Sequence, residues 1–255
     1  MNETLEKIIK ASQLKINMLN NSFLKYFILA MMAGIYVGFG VILIFSIGAP
    51  LEVAGLPIIK ALMAASFGVA LTVVVFAGSE LFTGNNMIMT IGSLSKSVKW
   101  LDTLKLWIVC YLGNFLGSLL IAYFIYFSGL LSNHATFDFI EKVSIVKMTL
   151  PFWSLFFRGI LCNMLVCLAL WMNLRTTNDA AKILLIFWCL FAFIGSGFEH
   201  SIANMTIFGL SLFGPSTSSA VSWGGCFANL IPVTLGNVVG GALFIGVGYW
   251  YVGKK

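Results

Sequence analysis

Long runs without a charged residue are the feature of this sequence that most restricts its fold. Such runs cover residues 26–51, 61–79, 106–133, 159–174, 183–198 and 201–253. A helix needs about 20 mostly apolar residues to cross the hydrocarbon core of a bilayer, and each run with its flanks can supply them. Only 9% of the residues are charged, against about 25% in ordinary soluble domains. The chain is therefore predicted to be an all-α, polytopic membrane protein.

Six transmembrane spans are predicted, at about 26–48, 59–93, 104–131, 150–174, 183–208 and 227–251. Together they form a single membrane domain over residues 1–255. The first 25 residues lack the apolar run and small-residue cleavage site of a removable signal peptide. They are instead predicted to form an amphipathic helix at the cytoplasmic interface. Its apolar face would consist of Leu5, Ile8, Ile9, Ile16, Leu19 and Phe23.

The positive charges are divided unevenly between the two sides of the predicted spans. The side that holds both termini carries Lys7, Lys10, Lys15, Lys25, Lys96, Lys99, Lys105, Arg175, Lys182, Lys254 and Lys255. The other side carries only Lys60, Lys142, Lys147 and Arg158. An excess of Lys and Arg marks the cytoplasmic side of a membrane protein. We therefore expect a multi-pass protein of the cell (inner) membrane with cytoplasmic N- and C-termini, and the net charge of +6 needs no nucleic-acid partner.

A pattern in the first half of the chain recurs in the second half. The matched positions are Gly113-Asn114 with Gly236-Asn237, Gly117 with Gly240, Gly78 with Gly197, Glu80 with Glu199 and, more weakly, Gly34 with Gly159. Each half contains three predicted spans, and an odd number of crossings inverts the second copy in the membrane. The sequence thus predicts two inverted three-helix repeats, at about 26–131 and 150–251.

The second and fifth spans are interrupted at corresponding places, over residues 78–86 and 195–201. Glycine, an acid and small hydroxyl residues are unfavourable inside a helix. Non-helical backbone at membrane depth is tolerated only where it is buried in protein or lines a cavity. These two breaks are therefore the predicted place of a transport site.

Three ionisable side chains lie at the predicted depth of the breaks: Glu80, Glu199 and His200. The glutamates are interpreted mainly as structural braces, because carboxylates accept hydrogen bonds from the N–H groups that a broken helix exposes. A lone buried histidine is often only a core residue. Beside a break, however, burial favours a neutral imidazole that donates one N–H into the pore, which suits an anion.

Three segments of the sequence resemble the signatures of the formate/nitrite transporter family. They are residues 78–85 (GSELFTGN), 159–169 (GILCNMLVCLA) and 229–237 (NLIPVTLGN). The resemblance covers nearly the whole chain. It implies an aquaporin-like protomer of six spans, with one pore in each protomer of a homopentamer.

The resemblance also implies which side chains line the pore. From the outside inward, these would be an outer constriction of Phe67 and Phe193, then His200, then a second-span loop of Leu81, Phe82 and Thr83, with Leu71 and Val166 at the cytoplasmic constriction. Asn163 and Asn229 would give the chamber polar contacts, and Lys147 would attract anions at the outer vestibule. Phe and Leu at helical spacing are equally typical of an ordinary core.

The implied substrate is a small monovalent anion: hydrosulfide (HS⁻), formate or nitrite. Within the family, the chain is most similar to the clostridial hydrosulfide-channel branch. Two other readings stay open at this point, namely an aquaporin-like channel for a neutral solute and an intramembrane serine hydrolase that pairs His200 with Ser79 or Ser201. No cofactor or metal is expected, since one histidine without nearby ligands does not complete a metal site, and the cysteines are interpreted as core residues.

Overall fold

The computed structural model describes residues 2–132 and 134–254, and none of these lies in a β-strand. The helices are α1 (Asn2–Asn21), α2 (Phe23–Val53), α3 (Ile59–Ser66), α4 (Gly68–Phe76), α5 (Phe82–Leu94), α6 (Trp100–Phe127), α7 (His134–Thr149), α8 (Phe152–Asn173), α9 (Asp179–Ser196), α10 (Ser201–Phe213), α11 (Trp223–Val238) and α12 (Gly248–Gly253). A 3-10 turn covers Leu130–Ser132, and a π-helical segment covers Val239–Val247.

Six helical segments are long and apolar enough to cross a membrane, which confirms the predicted all-α, six-span class. They are Phe23–Val53, Ile59–Phe76, Trp100–Phe127, Phe152–Asn173, Asp179–Ser196 and Trp223–Gly253. Large apolar side chains such as Phe39, Leu112 and Phe244 are exposed on their outer faces. Exposed apolar surface on this scale is what a lipid-facing helix presents. The predicted boundaries are off by several residues, and α7, between the third and fourth spans, was not predicted.

Both breaks are shorter than the sequence predicted. The second span stops at Phe76 and resumes as α5 at Phe82, while the fifth stops at Ser196 and resumes as α10 at Ser201. Phe82 and Thr83 therefore belong to the first turn of α5 and not to a loop. The helix can begin so early because a side chain from another span supplies the hydrogen-bond acceptor that its first N–H groups lack.

That acceptor is Asn114 of α6 at the first break. Its Oδ1 accepts from Phe82 N at 2.9 Å, and its Nδ2 donates to Glu80 O at 2.9 Å and to Ala30 O at 2.7 Å. One buried amide thus satisfies both sides of the break and ties it to α2. An unpaired buried polar group costs about 1–3 kcal/mol, so this contact makes the break tolerable at membrane depth.

Asn237 does the same at the second break. Its Oδ1 accepts from Ser201 N at 3.0 Å, and its Nδ2 donates to Glu199 O at 3.0 Å and to Gly159 O at 2.8 Å. These matched contacts pair Gly159 with Ala30 and not with Gly34, so the weak match predicted for Gly34 is wrong. The other matched positions, Asn114 with Asn237 and Glu80 with Glu199, make equivalent contacts.

One surface helix precedes each half of the chain, α1 before the first half and α7 before the second, and the two occupy equivalent places. Lys15 of α1 reaches Glu80, and Lys147 of α7 reaches Glu199. The apolar face of α1 is buried at Leu5, Ile8, Ile16 and Leu19, where Leu5 and Ile8 pack in a core cluster with residues of α5 and α8. These four residues of the predicted face are therefore covered by protein, whereas Ile9 is half-buried and Phe23 lies in α2 and is exposed. The position of α1 at the cytoplasmic interface stays a prediction.

Glycines allow the spans around the breaks to pack backbone against backbone. A Cβ on Gly117 of α6 would lie 2.0 Å from Met31 O of α2, and a Cβ on Gly240 would lie 2.2 Å from Ile160 O of α8. Contacts this short leave no room for any side chain. The close approach is what lets Asn114 and Asn237 reach the facing carbonyl groups.

We expect Gly117→Ala to lower the free energy of unfolding by about 1–3 kcal/mol or more, because the facing atom is backbone and cannot rotate away. Gly248→Ala is the matched control: it lies in α12 with nothing within 4 Å of the added Cβ, and should be neutral or stabilising by up to about 1 kcal/mol. Thermal unfolding of the detergent-solubilised protein measures both. Equal melting temperatures for the two variants would contradict the packing argument.

Candidate functional site

A small chamber lies between the two breaks, at the centre of the helix bundle. Its volume is about 10 Å³, which is near the lower limit for a single water molecule. It is lined by Val37, Phe67, Ala70, Leu71, Leu81, Val166, Leu190, Phe193 and His200. Five of the predicted pore residues thus meet there with His200, and the other lining residues are apolar.

Two aromatic rings close the chamber on the side away from the chain termini. Phe67 and Phe193 meet edge to face with ring centroids 5.7 Å apart, and both are almost fully buried. The imidazole of His200 stacks on Phe193 at 6.0 Å with an interplanar angle of 18°. Phe193 therefore contacts both the opposite ring and the histidine, so that the aromatic closure and the polar group form one packed unit.

His200 is held by hydrogen bonds at both ring nitrogens. Its Nδ1 accepts from Ala203 N at 3.1 Å, as the N-cap of α10. A backbone N–H can only donate, so the ring proton sits on Nε2. Nε2 lies 3.1 Å from Thr83 Oγ1 and donates to it. Because the imidazole N–H is used in this bond, the remaining hydrogen-bond donor of the pair is the hydroxyl of Thr83.

Leu71, Leu81 and Val166 meet at the inner part of the chamber, where all three are buried. Leu81 lies in the break itself, as the N-cap of α5. Neither Phe82 nor Thr83 is among the lining residues. The ring of Phe82 instead packs edge to face on Tyr111 of α6 at 5.0 Å. The second-span segment therefore contributes Leu81 to the chamber and anchors Phe82 against the neighbouring span.

Glu80 is the centre of a buried polar cluster beside the first break. Its carboxylate accepts from Lys15 Nζ at 2.6 and 2.7 Å and from Asn85 Nδ2 at 2.9 Å. Asn85 also donates to the hydroxyl of Tyr26 at 3.2 Å. The backbone of the break is braced by Asn114, so Glu80 serves to tie α1 and α5 together.

Glu199 forms the matching cluster beside the second break. It accepts from Lys147 Nζ at 2.8 Å and from Asn204 Nδ2 at 2.6 Å. Asn229 lies in this cluster and not in the chamber: its Oδ1 accepts from Asn204 Nδ2 at 2.9 Å and its Nδ2 donates to Lys147 O at 2.9 Å. The ammonium that was expected to attract anions is therefore already neutralised by a buried carboxylate.

Asn163 does not line the chamber but joins three helices beside it, namely α5, α8 and α11. Its Nδ2 lies 3.1 Å from Thr83 O, 3.0 Å from Asn86 Oδ1 and 2.7 Å from Asn237 O. It thus connects α8 to α5 and α11. Because it holds the carbonyl of Thr83, Asn163 fixes the turn that aims the Thr83 hydroxyl at His200.

A wider vestibule opens beyond Phe67 and Phe193, on the side away from the chain termini. Its volume is about 450 Å³, and it reaches down to His200. Its charged lining residues are Glu52, Lys142, Lys147, Arg158 and Glu199. The vestibule therefore leads from a charged mouth, past the aromatic pair, to the buried histidine. Within the described part of the chain, no group of three or more His, Cys, Asp or Glu side chains is placed to hold a metal ion.

Comparison with known proteins decides the family. The family profile described as "Formate/nitrite transporter" matches residues 2–251. The nitrite transporter NirC of Escherichia coli K12 is 46% identical over 239 residues, which are 92% of this chain and 86% of NirC. The chain belongs to the formate/nitrite transporter family.

Further relatives agree with this membership. A probable formate transporter of Methanothermobacter thermautotrophicus is 36% identical over 91% of this chain and 89% of its own length. A solved structure described as an "FNT family ion channel" superimposes with a TM-score of 0.93 at 40% identity, covering 99% of both chains. Another, a "Pentameric formate channel with formate bound", gives a TM-score of 0.80 at 28% identity, covering 91% of this chain and 97% of that one.

These relatives are transporters and channels, so this member of the formate/nitrite transporter family is a transport protein and not an enzyme. The serine hydrolase alternative is wrong. The comparisons give no support to the hydrosulfide branch, because the relatives named above are described as nitrite or formate transporters or by the family alone.

Sequence reasoning missed the polar residues that hold the site together. Asn114 and Asn237 were noticed only as repeat markers, and Lys15 only as one of many cytoplasmic charges. A signal was present: an asparagine follows each break glutamate by five residues, at Asn85 and Asn204. Polar side chains repeated at matching depth in both halves indicate paired networks, because lone polar groups are costly in a membrane.

We expect Lys147→Met to destabilise the protein by about 3–5 kcal/mol, because it leaves the Glu199 carboxylate buried without its cation. The double variant Lys147→Met/Glu199→Gln should recover most of that loss. The side chains of this pair are only 17% and 4% exposed. The control pair Lys142 and Glu52 is 68% and 33% exposed, so Lys142→Met should cost about 0–1 kcal/mol. Thermal unfolding tests this; equal losses for the two single variants would contradict it.

Proposed function

We propose that this protein is a selective pore for small monovalent anions, with nitrite as its principal substrate. The observation that carries the anion proposal is the chamber: an apolar enclosure whose one polar lining residue, His200, is hydrogen-bonded to the buried hydroxyl of Thr83. A hydroxyl donor in an apolar site suits a hydrogen-bond acceptor of negative charge. Nitrite is favoured because NirC, at 46% identity, is a nitrite transporter.

The fold offers the anion more than one hydrogen bond. Moving a bare anion into an apolar constriction costs on the order of tens of kcal/mol, whereas about 10³ events per second allow a barrier of only about 13 kcal/mol. Leu81 and His200, both lining the chamber, are the N-caps of α5 and α10. Two helix N-termini therefore meet at the chamber, and their partial positive charges favour an anion there.

The closed chamber corresponds to an occluded state in the transport of the anion. Phe67 and Phe193 would strip water from the anion on the outer side, and Leu71, Leu81 and Val166 would close the inner side. A chamber of about 10 Å³ must widen before nitrite can enter. Three lining residues lie outside the helices, namely Phe67, Leu81 and His200. Leu81 is the one of them assigned to the inner closure, so a shift of residues 77–81 is the simplest way to open the inner side.

Formate is the second candidate substrate, because one relative is a probable formate transporter and a structural neighbour is a formate channel with formate bound. Nitrite and formate are both small, bent anions with two oxygens, and the chamber itself does not separate them. Hydrosulfide stays a weaker proposal that rests on the sequence resemblance alone.

We further propose that the two halves are inverted repeats, that both termini face the cytoplasm across the inner membrane, and that residues 1–255 form one domain that assembles as a homopentamer. The duplicated contacts of Asn114 and Asn237 support the repeat. The distribution of Lys and Arg supports the orientation. The pentameric structural neighbour supports the assembly.

Flux into proteoliposomes tests the substrate. Nitrite, formate, hydrosulfide and chloride would be supplied in turn, with a membrane potential and a pH gradient imposed separately. We expect nitrite uptake to be fastest and to respond to the potential or to the pH gradient. If formate or hydrosulfide uptake were fastest, nitrite would not be the principal substrate. If the uptake rate changed with neither the membrane potential nor the pH gradient, a neutral-solute channel would be favoured.

The role of the hydroxyl is tested by a pair of variants at Thr83. Thr83→Val removes the acceptor for His200 and the donor for the anion, so we expect anion flux to fall by about 10²-fold, the effect of losing roughly 3 kcal/mol of stabilisation. Thr83→Ser keeps the hydroxyl and should retain most of the flux. If Thr83→Val transports as well as Thr83→Ser, the hydroxyl does not contact the anion.

A further inference from the structure

The ion pairs of the outer vestibule leave some of its positive charge without a partner. Lys142 Nζ lies 2.5 Å from Glu52 Oε1, and Lys147 Nζ lies 2.8 Å from Glu199 Oε1. All four of these residues line the vestibule. The third cation of the lining, Arg158, forms no ion pair with any carboxylate of residues 2–132 and 134–254. The vestibule therefore has one net positive charge, and that charge resides on Arg158.

Arg158 also stands beside the break of the fifth span. Its carbonyl oxygen accepts the N–H of Glu199 at 3.3 Å, so its position on α8 is fixed directly next to the entrance of the pore. The side chain itself is exposed. An exposed guanidinium at a fixed point of a charged mouth is available to an incoming ligand.

A second free cation reaches the same place from the second span. The ammonium of Lys60 lies 4.0 Å from the position that a Cβ would take on Gly197, and Gly197 lines the vestibule within the break. Lys60 forms no ion pair in the described part of the chain either. Four basic residues were assigned to the outer side; two are neutralised in pairs, and the two that remain converge on the fifth-span break.

We propose that Arg158, assisted by Lys60, is the docking site for the substrate anion at the outer mouth, and that its guanidinium selects planar anions with two oxygens. This inference rests on the proposed anion transport. Lys147 does not serve this purpose, because its side chain is only 17% exposed and its ammonium is paired with Glu199. The docking step precedes the aromatic pair, at the last place where the anion still has most of its water.

The selectivity follows from the shape of the guanidinium group. Its parallel N–H groups fit the two oxygens of a carboxylate-like anion, whereas an ammonium acts as a point charge. Nitrite and formate both present two oxygens at this spacing. Hydrosulfide presents a single sulfur atom and gains only the attraction between charges. Arg158 therefore favours nitrite and formate over hydrosulfide before either anion reaches the chamber.

Initial uptake of nitrite, formate and hydrosulfide into proteoliposomes tests this, at substrate concentrations far below saturation. The variants are Arg158→Gln, Arg158→Lys and Lys60→Gln. Arg175→Gln is the matched control, because it makes the same chemical change at an exposed position beyond the opposite end of α8. Elution as the assembled oligomer shows that each variant folds.

We expect Arg158→Gln to slow nitrite and formate uptake by about threefold to tenfold, the scale of electrostatic steering by one charge. The loss should shrink at high ionic strength, because salt screens exposed charges. Arg158→Lys keeps the positive charge, so hydrosulfide uptake should equal that of the unsubstituted protein, whereas nitrite and formate uptake should recover only partly. Lys60→Gln should give a smaller loss than Arg158→Gln, and Arg175→Gln none.

Wild-type nitrite uptake by Arg158→Gln would overturn the docking site while the transport proposal stands. Equal restoration of all three anions by Arg158→Lys would overturn the selectivity. If Arg158→Gln does not assemble, the comparison of Arg158→Lys with wild type decides the selectivity. Absence of anion uptake by the unsubstituted protein would overturn the proposed function and the docking site together.

Discussion

The structure depends on how two breaks in the backbone are hydrogen-bonded at membrane depth. Lipid offers no partners to unpaired N–H and C=O groups, so each break needs a donor and an acceptor from the protein. Asn114 and Asn237 each supply both from one amide. Glycines such as Gly117 and Gly240 bring the spans close enough for these amides to reach. The breaks then place two helix N-termini at a common point.

Charge at the breaks is organised in two different ways, and the difference matters for function. Glu80 and Glu199 are each neutralised by a lysine from a surface helix, which fastens α1 and α7 to the bundle. Such buried pairs contribute little net stability but are costly to break. Arg158, at the mouth of the vestibule, forms no ion pair within the part of the chain that the structure describes. Paired and unpaired charges therefore occur side by side, and the difference is whether a carboxylate is within reach.

The chamber combines an apolar lining with a single polar side chain. Phe67, Phe193, Leu71 and Val166 belong to the apolar lining, while His200 is the polar lining residue and hydrogen-bonds to the buried Thr83. His200 caps α10 through Nδ1, so its tautomer is set by the backbone of its own helix. The hydrogen bond that caps α10 therefore also places the imidazole proton on Nε2, the nitrogen that faces Thr83.

The sequence by itself determined the six spans, the positions of the two breaks and the presence of His200 beside the second break, because apolar run length and ionisable residues in lipid are strong constraints that act locally. It did not determine the extent of the breaks, since the start of α5 at Phe82 depends on a hydrogen bond to Asn114 of α6. Nor did it show that Lys147 is neutralised while Arg158 has no carboxylate partner among the described residues. Both facts depend on which side chains meet across more than 30 residues of chain, and only tertiary packing decides that.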